Sequence, residues 1–408
     1  MMEFCLNKMP KGLVSIFFSI FLCSASLFAA ESDEAVKLFV KGSIADKIAV
    51  VRNSTGRESI VLSERGIDFS IENAYILKND RDLSALAVAS VLALSKDSSF
   101  SEEESVRFCN KLISVFKSFD DDNVRIAALD RIVVFSGGVG HDAVVSLINS
   151  FVKDAVGTVD KVSPVIASAV TSLGKIGDAE SFSIIYGAWS SNKWEQYRNE
   201  LSLAVIDLSQ KYPDAAKKTV LSSSVEEISE YFDLIEKKDT IPENFKAEIA
   251  ENVLLKTINN KENLQNASSG EDVAKRDTFV QLQLKSLAVI ADNRWSKASK
   301  LVGQYFVLAK KMYADKILND NEFIAVITNT AKIASQDSAQ CLSDCLADFN
   351  RSLENSVAPV KSVVLAVISA LGGLGDKTAF DNLLYVTYLE YPEEVVSEAR
   401  DALAKLKW

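Results

Sequence analysis

Residues 371–376 read Leu371, Gly372, Gly373, Leu374, Gly375, Asp376, and two earlier stretches share the layout. Leu173, Gly174, Lys175, Ile176, Gly177, Asp178 repeat it closely, and Ser136, Gly137, Gly138, Val139, Gly140, His141 repeat it more loosely. Each copy follows an alanine-containing apolar segment, Ala127 to Val134, Ala167 to Leu173 or Ala366 to Leu371, and precedes a second apolar segment. This pattern predicts a tight joint between two antiparallel helices, with the alanines letting a neighbouring helix come close. The first glycine is expected to take the left-handed conformation that closes a helix, so that Val139, Ile176 or Leu374 folds back on the last turn. The second glycine reverses the chain. Asp178 and Asp376 then stand where an N-cap carboxylate accepts hydrogen bonds from free backbone N–H groups. A phosphate-cradling glycine loop needs a strand before it, and no copy follows a strand-like pattern.

Second helices of such pairs are expected to start near Asp142, Ala179, Asp214, Glu243, Ser296, Asp337 and Lys377. The mean interval is about 39 residues, the period of a helical repeat array. The alanine-rich first helix, the Leu-Gly-x-apolar-Gly-Asp joint and the second helix resemble HEAT repeats, particularly the short bacterial type also found in proteins related to bilin lyases. The resemblance covers three repeats by motif and the rest of the chain by period. It implies an all-α fold, a right-handed superhelical solenoid of antiparallel helix pairs used as a binding scaffold. It carries no catalytic residue onto this chain.

The chain has 408 residues, 48% hydrophobic and 25% charged, with only six prolines. That composition supplies a large core and points away from a β-protein. In a solenoid the length does not translate into a domain count, because each repeat contacts only its neighbours. Lys8 and Lys11 precede an apolar run from Leu13 to Leu22, and small residues lead to Ala29 and Ala30. This is the layout of a secretory signal over residues 1–30, and the run is too short for a spanning helix. The mature solenoid is therefore expected to cover 31–408 and to be periplasmic. Lipid attachment at Cys23 is the alternative, although Leu22 is bulky for such a site.

Export leaves Cys109, Cys341 and Cys345 in the mature chain. Cys341 and Cys345 fall one helical turn apart, a poor geometry for a bridge, and all three are expected to be small buried apolar residues. His141 is the one histidine, so zinc sites and Ser/His or Cys/His nucleophiles have little to draw on. Asp120, Asp121 and Asp122 are adjacent before a helix and read as caps, since a calcium loop spreads its ligands more widely. No metal or cofactor is expected. A net charge of −11 repels phosphate backbones and argues against nucleic acid as a partner.

Along the chain, Glu34 to Val51 and Ser59 to Leu77 read as the opening helix pair. Ser101 and Glu104 read as a capping box at the start of a helix running to Phe119. The polar run within 259–271 reads as a loop insertion, and a mixed-charge helix from Glu393 closes the stack. Gly42, outside the joints, is expected to tolerate a β-branched residue better than Gly177 or Gly375. Two groups are candidates for partner binding. Trp189, Trp194 and Tyr197 crowd one connection, either as a contact patch or as packing. Lys297, Lys300 and Lys311 form a basic stripe with Gln304 on the helix Ser296 to Tyr313, with Trp295 or Tyr305 as an apolar anchor.

The functional expectation is a non-enzymatic exported scaffold, a module that binds envelope proteins and meets a membrane only if lipidated. A lyase or hydrolase with a cryptic site and a lipid-anchored envelope organiser attached through Cys23 are the alternatives.

Overall fold

The computed structural model describes residues 34–77, 80–95, 100–136, 140–158, 162–259 and 270–407. The expected signal over 1–30, Cys23 and residues 260–269 of the expected insertion lie outside the described residues. Twenty α-helices and no β-strand occur among the described residues. None of the helices is long and apolar enough to cross a membrane. The chain forms two compact units, Met1–Leu208 and Ser209–Trp408.

The first unit opens with α1 (34–41), α2 (Ile44–Asn53) and α3 (Gly56–Ala74), where the sequence pattern predicts a single helix from Glu34 to Val51. The break has a local cause. Ser43 and Asp46 form a reciprocal capping box that starts α2. Lys47 reaches back to the carbonyls of Phe39 and Gly42, both at 2.7 Å, and so satisfies the free end of α1. A Cβ at Gly42 would lie 2.7 Å from both Leu38 O and Asp46 Cβ. Gly42 is therefore crowded, though less than Gly177, where a Cβ would lie 2.4 Å from Leu173 O.

The unit continues with α4 (Arg81–Ala93), α5 (Glu102–Ser118), α6 (Asp122–Phe135), α7 (His141–Thr158), α8 (Pro164–Ile176) and α9 (Ala179–Ser190). A 3-10 stretch, Asn192–Tyr197, leads to α10 (Arg198–Lys211), which crosses the unit boundary. Helices α2, α4, α6 and α8 pack in chain order as one row, and α3, α5, α7 and α9 as a second. Each odd helix from α3 to α7 also packs on the even helix that follows it. The caps follow the sequence: Ser101 with Glu104 on α5, Asp121 on α6, and Asp178 with Ser181 on α9.

The second unit contains α11 (Pro213–Ser222), α12 (Val225–Glu236), α13 (Glu243–Asn259), α14 (Gly270–Asp292), α15 (Ser299–Ala314) and α16 (Asp320–Lys332). It closes with α17 (Gln336–Glu354), α18 (Lys361–Leu374), α19 (Phe380–Val386) and α20 (Glu393–Ala404). The even helices α12 to α20 form one row and the odd helices α11 to α19 the other. A short 3-10 turn, Ser296–Ala298, precedes α15, so that helix starts later than the sequence pattern predicts. The second helices expected near Asp214, Glu243, Ser296, Asp337 and Lys377 all belong to the odd row.

The repeated joints keep their place but work differently from expectation. The first glycines, Gly174 and Gly372, are helical and buried, and neither is left-handed. A Cβ at Gly174 would meet Ala204 Cα at 3.1 Å, and one at Gly372 would meet Ala402 Cβ at 2.9 Å. Each glycine thus lets the next even helix, α10 or α20, approach to backbone contact. The second glycines close the last turn through the same hydrogen bond, Gly177 N to Leu173 O and Gly375 N to Leu371 O. Gly375 does so in the left-handed region at φ 67°, whereas Gly177 is extended at φ −64° and ψ 167°. Lys407 N donates to Gly375 O, so the segment after α20 leans on this last joint. Asp178 and Asp376 cap as expected, accepting from Ser181 N and Thr378 N. In the third copy, residues 137–139 lie outside the described residues.

Candidate interaction surface

Among the candidate contact residues, the aromatic cluster is core. Trp189, Trp194 and Tyr197 are each about 2% exposed. Trp189 donates its indole N–H to Ser202 Oγ at 3.0 Å and carries the Arg198 guanidinium on its ring face. Tyr197 Oη accepts from Ser163 N at 2.7 Å, pinning the start of α8. These residues fill the connection between α9 and α10 and present no side-chain surface to a partner, so the contact-patch alternative for them is corrected.

The basic stripe survives in a narrower form. Tyr305 is fully buried with Val302, Phe306, Ala309 and Met312 on the inner face of α15, and it offers no anchor. Its hydroxyl has no hydrogen-bond partner, and burial pushes its phenol well above the ordinary range. Trp295 is half-buried, and its indole N–H donates to Glu251 Oε2 on α13 at 2.7 Å. Lys297 sits over the Trp295 ring at 4.7 Å, which holds both side chains beside α13. Lys300, Gln304, Val307 and Lys311 remain as one exposed stripe, with Val307 60% exposed between the two lysines. Val307 was not singled out from the sequence, although its spacing from Lys300 and Lys311 places it on their face.

The two lysines of this stripe differ from their neighbours in pairing. Lysines at the seams between repeats reach an acid on an adjacent helix of their row: Lys111 to Glu64 and Asp68, Lys217 to Glu248, and Lys285 to Asp233 and Glu236. Lys310 to Asp348, Lys332 to Asp292 and Lys361 to Glu394 continue the series. These pairs are partly solvated and contribute about 0–1 kcal/mol each, so they set register more than stability. Lys300 and Lys311 have no ion pair among the described residues. On α17, the next helix of the row, Asp337, Gln340 and Asp344 are exposed, and Gln340 donates to Asp344 at 2.8 Å.

Other chemistry-bearing groups are held in structural roles. The His141 Nδ1 lies 3.0 Å from Ser136 O. Cys109, Cys341 and Cys345 are free thiols. Burial pushes the Cys345 thiol up to about 12 and raises that of Cys341. Among the described residues no group of three His, Cys, Asp or Glu side chains is placed to hold a metal ion. A groove of about 400 Å³ lies between the ends of α3 and α5, lined by Tyr75, Leu77, Lys117, Phe119, Asp120 and Asp121. Asp121 is committed there as the cap of α6 and Asp120 to Arg125, so the groove has no acid free for chemistry.

No family model matches the chain, and no curated protein matches it. Among solved structures, a crystal structure described as an engineered protein is similar at 15% identity and a TM-score of 0.37, over 92% of this chain and 98% of that one. A second, described as a computational design of self-assembling cyclic homo-oligomers, is 10% identical with a TM-score of 0.12, over 83% and 93%. Both similarities are too low to place the chain in a family, and the functional reading rests on its own residues.

Proposed function

We propose that this chain is an exported HEAT-type scaffold whose work is to bind another protein through the outer face of α15. One observation carries the reading: Lys300 and Lys311 are exposed and without ion pairs among the described residues of an acidic protein, on either side of an exposed valine. An unpaired cationic stripe attracts an acidic surface and orients it, while Val307 supplies apolar area that is removed from water on contact. The two-row packing and the Leu-Gly-x-apolar-Gly-Asp joints support HEAT-type repeats in a right-handed superhelix. The secretory grammar of residues 1–30 supports export to the periplasm. The pairing, capping and burial of the titratable groups favour binding over catalysis.

Two measurements test this. Tagged protein and its Lys300→Glu, Lys311→Glu variant are used to capture partners from envelope extract. The variant is expected to lose the captured set at unchanged thermal stability, and an unchanged set at unchanged stability refutes the surface assignment. Intact-mass analysis of the exported product is expected to give an N-terminus at Glu31, whereas a product starting at a lipid-modified Cys23 supports the anchored alternative.

A further inference from the structure

The stripe on α15 has its electrostatic complement on the adjacent helix of the same row. Gly303 lies against Cys341 and Lys310 against Asp348, so a residue on α15 stands level with the residue 38 positions later on α17. The two contacts also define the seam between the helices. With about 100° of rotation per residue, Lys300, Val307 and Lys311 lie about 50–90° from that seam on α15. Asp337, Gln340 and Asp344 lie about 30–90° from it on α17 in the opposite sense, which puts both stripes on the same outer side. A cationic stripe and an anionic stripe thus run side by side on one exposed face.

Such a face is complementary to itself under a two-fold rotation about an axis parallel to the two helices, which lays α15 of one copy parallel on α17 of the other and creates each contact twice. A residue of α15 then stands level with the residue 38 positions later on the other copy's α17. At 1.5 Å per residue, Lys300 lies about 1.5 Å along the axis from the level of Asp337, and Lys311 about 7.5 Å from that of Asp344. The flexible four-carbon stem of lysine lets each ammonium lean along the axis toward its carboxylate. Lys300 thus faces Asp337 and Lys311 leans toward Asp344, while Val307 lies between the two lysines. Lys310 and Asp348 are already paired with each other along the seam and stay so.

We infer that the α15–α17 face mediates a salt-sensitive homodimer in which the Lys300 and Lys311 stripe of each copy meets the Asp337 and Asp344 stripe of the other. This rests on reading α15 as a recognition surface and names its occupant as a second copy of the chain.

Sedimentation velocity on the mature protein at low and high salt tests the inference, with differently tagged charge-reversed variants. Wild type is expected to dimerise at low salt and to dissociate as salt rises. The variant Lys300→Glu, Lys311→Glu and the variant Asp337→Lys, Asp344→Lys are each expected to weaken dimerisation by about tenfold or more, since like charges then oppose each other at every contact. Mixing the two variants restores attraction on both halves of the interface, and the mixture is expected to form a mixed dimer. That rescue also shows that both variants are folded. A wild type that is monomeric throughout, or a mixture that stays monomeric, overturns the inference. If wild type is monomeric but the lysine variant loses its captured envelope partners, the scaffold reading stands and self-pairing falls. If the mixed dimer forms and capture is unaffected, the outcome is reversed.

Discussion

Alanine placed at Gly372 and, separately, at Gly373 separates the packing role of the joint from helix propensity, because the two glycines are neighbours in α18 and face different surroundings. Glycine to alanine inside a helix is worth about 1 kcal/mol in favour of alanine. At Gly373 a Cβ meets nothing within 4 Å, so Gly373→Ala is expected to gain about that full amount. At Gly372 the Cβ would lie 2.9 Å from Ala402 Cβ and 3.0 Å from Ala402 Cα. Carbon atoms prefer about 3.5–4.0 Å, so α18 and α20 must part by most of an ångström. Overpacking of this kind costs about 1–3 kcal/mol. The propensity gain offsets part of that cost, leaving Gly372→Ala destabilised by up to about 2 kcal/mol. Urea unfolding followed by far-UV circular dichroism, with calorimetry for Tm, reads the difference between the two variants. Each kcal/mol corresponds to about 2–4 °C for a unit of this size. Adding Ala402→Gly to Gly372→Ala removes the 2.9 Å contact and leaves the 3.0 Å one, so partial recovery is expected. If Gly372→Ala proves as stable as Gly373→Ala, the close approach of α18 and α20 is refuted.

At Gly375, φ is 67°, so asparagine, which tolerates the left-handed region, is expected to cost less than valine there. At Gly177 any Cβ would lie 2.4 Å from Leu173 O, so asparagine and alanine are expected to be equally damaging, and thermal melts that rank them otherwise contradict this account. Burial works against the charge of Asp178, but hydrogen bonds from the Ser181 backbone and side chain and from Asn149 outweigh it and hold the carboxyl below its ordinary value. The group therefore adds stability above its unfolded value of about 4, which is lost as pH falls through the lower folded value. Asp178→Asn retains a capping side chain and is expected to be less stable than wild type at pH 7, with the gap in urea midpoint closing below about pH 4; a gap independent of pH counts against the linkage. Thiol titration of native protein at neutral pH is expected to leave Cys345 unreacted and Cys341 slow, because burial raises both thiols, and prompt labelling of Cys345 contradicts its burial.

What the sequence made legible was local. Ser101 with Glu104, and Asp178 and Asp376 at their joints, announce helix starts because a cap depends on residues two or three positions away. The odd-row starts near Asp214 and Ser296 carry no side-chain cap and were legible through their spacing instead. The roles of the glycines were not: what makes Gly174 and Gly372 necessary is Ala204 and Ala402, each 30 residues later on the next helix of the row. Gly177 and Gly375 share a motif and still differ in backbone, and Gly375 also accepts a hydrogen bond from Lys407, far from it in sequence. Tyr305 could have been placed correctly, since it lies with Val302, Phe306, Ala309 and Met312 on the apolar stripe of α15 and about 100° from Gln304.

The surface assignment depends on the same distinction between local and repeat-spaced information. Lys310 and Lys311 are adjacent in sequence and alike in chemistry. Lys310 points along the seam and meets Asp348, whereas Lys311, about 100° further round the helix, meets no acid among the described residues. Which lysine is free is therefore decided by the residue one repeat later and by the register that Gly303 and Cys341 fix between α15 and α17. A basic stripe read from one helix alone includes side chains that the next helix has already neutralised, and only those left over can attract a partner. In this chain the residues left over on α15 are Lys300 and Lys311, and those exposed on α17 are Asp337 and Asp344, so the register that removes Lys310 from the binding surface also sets two opposite stripes side by side.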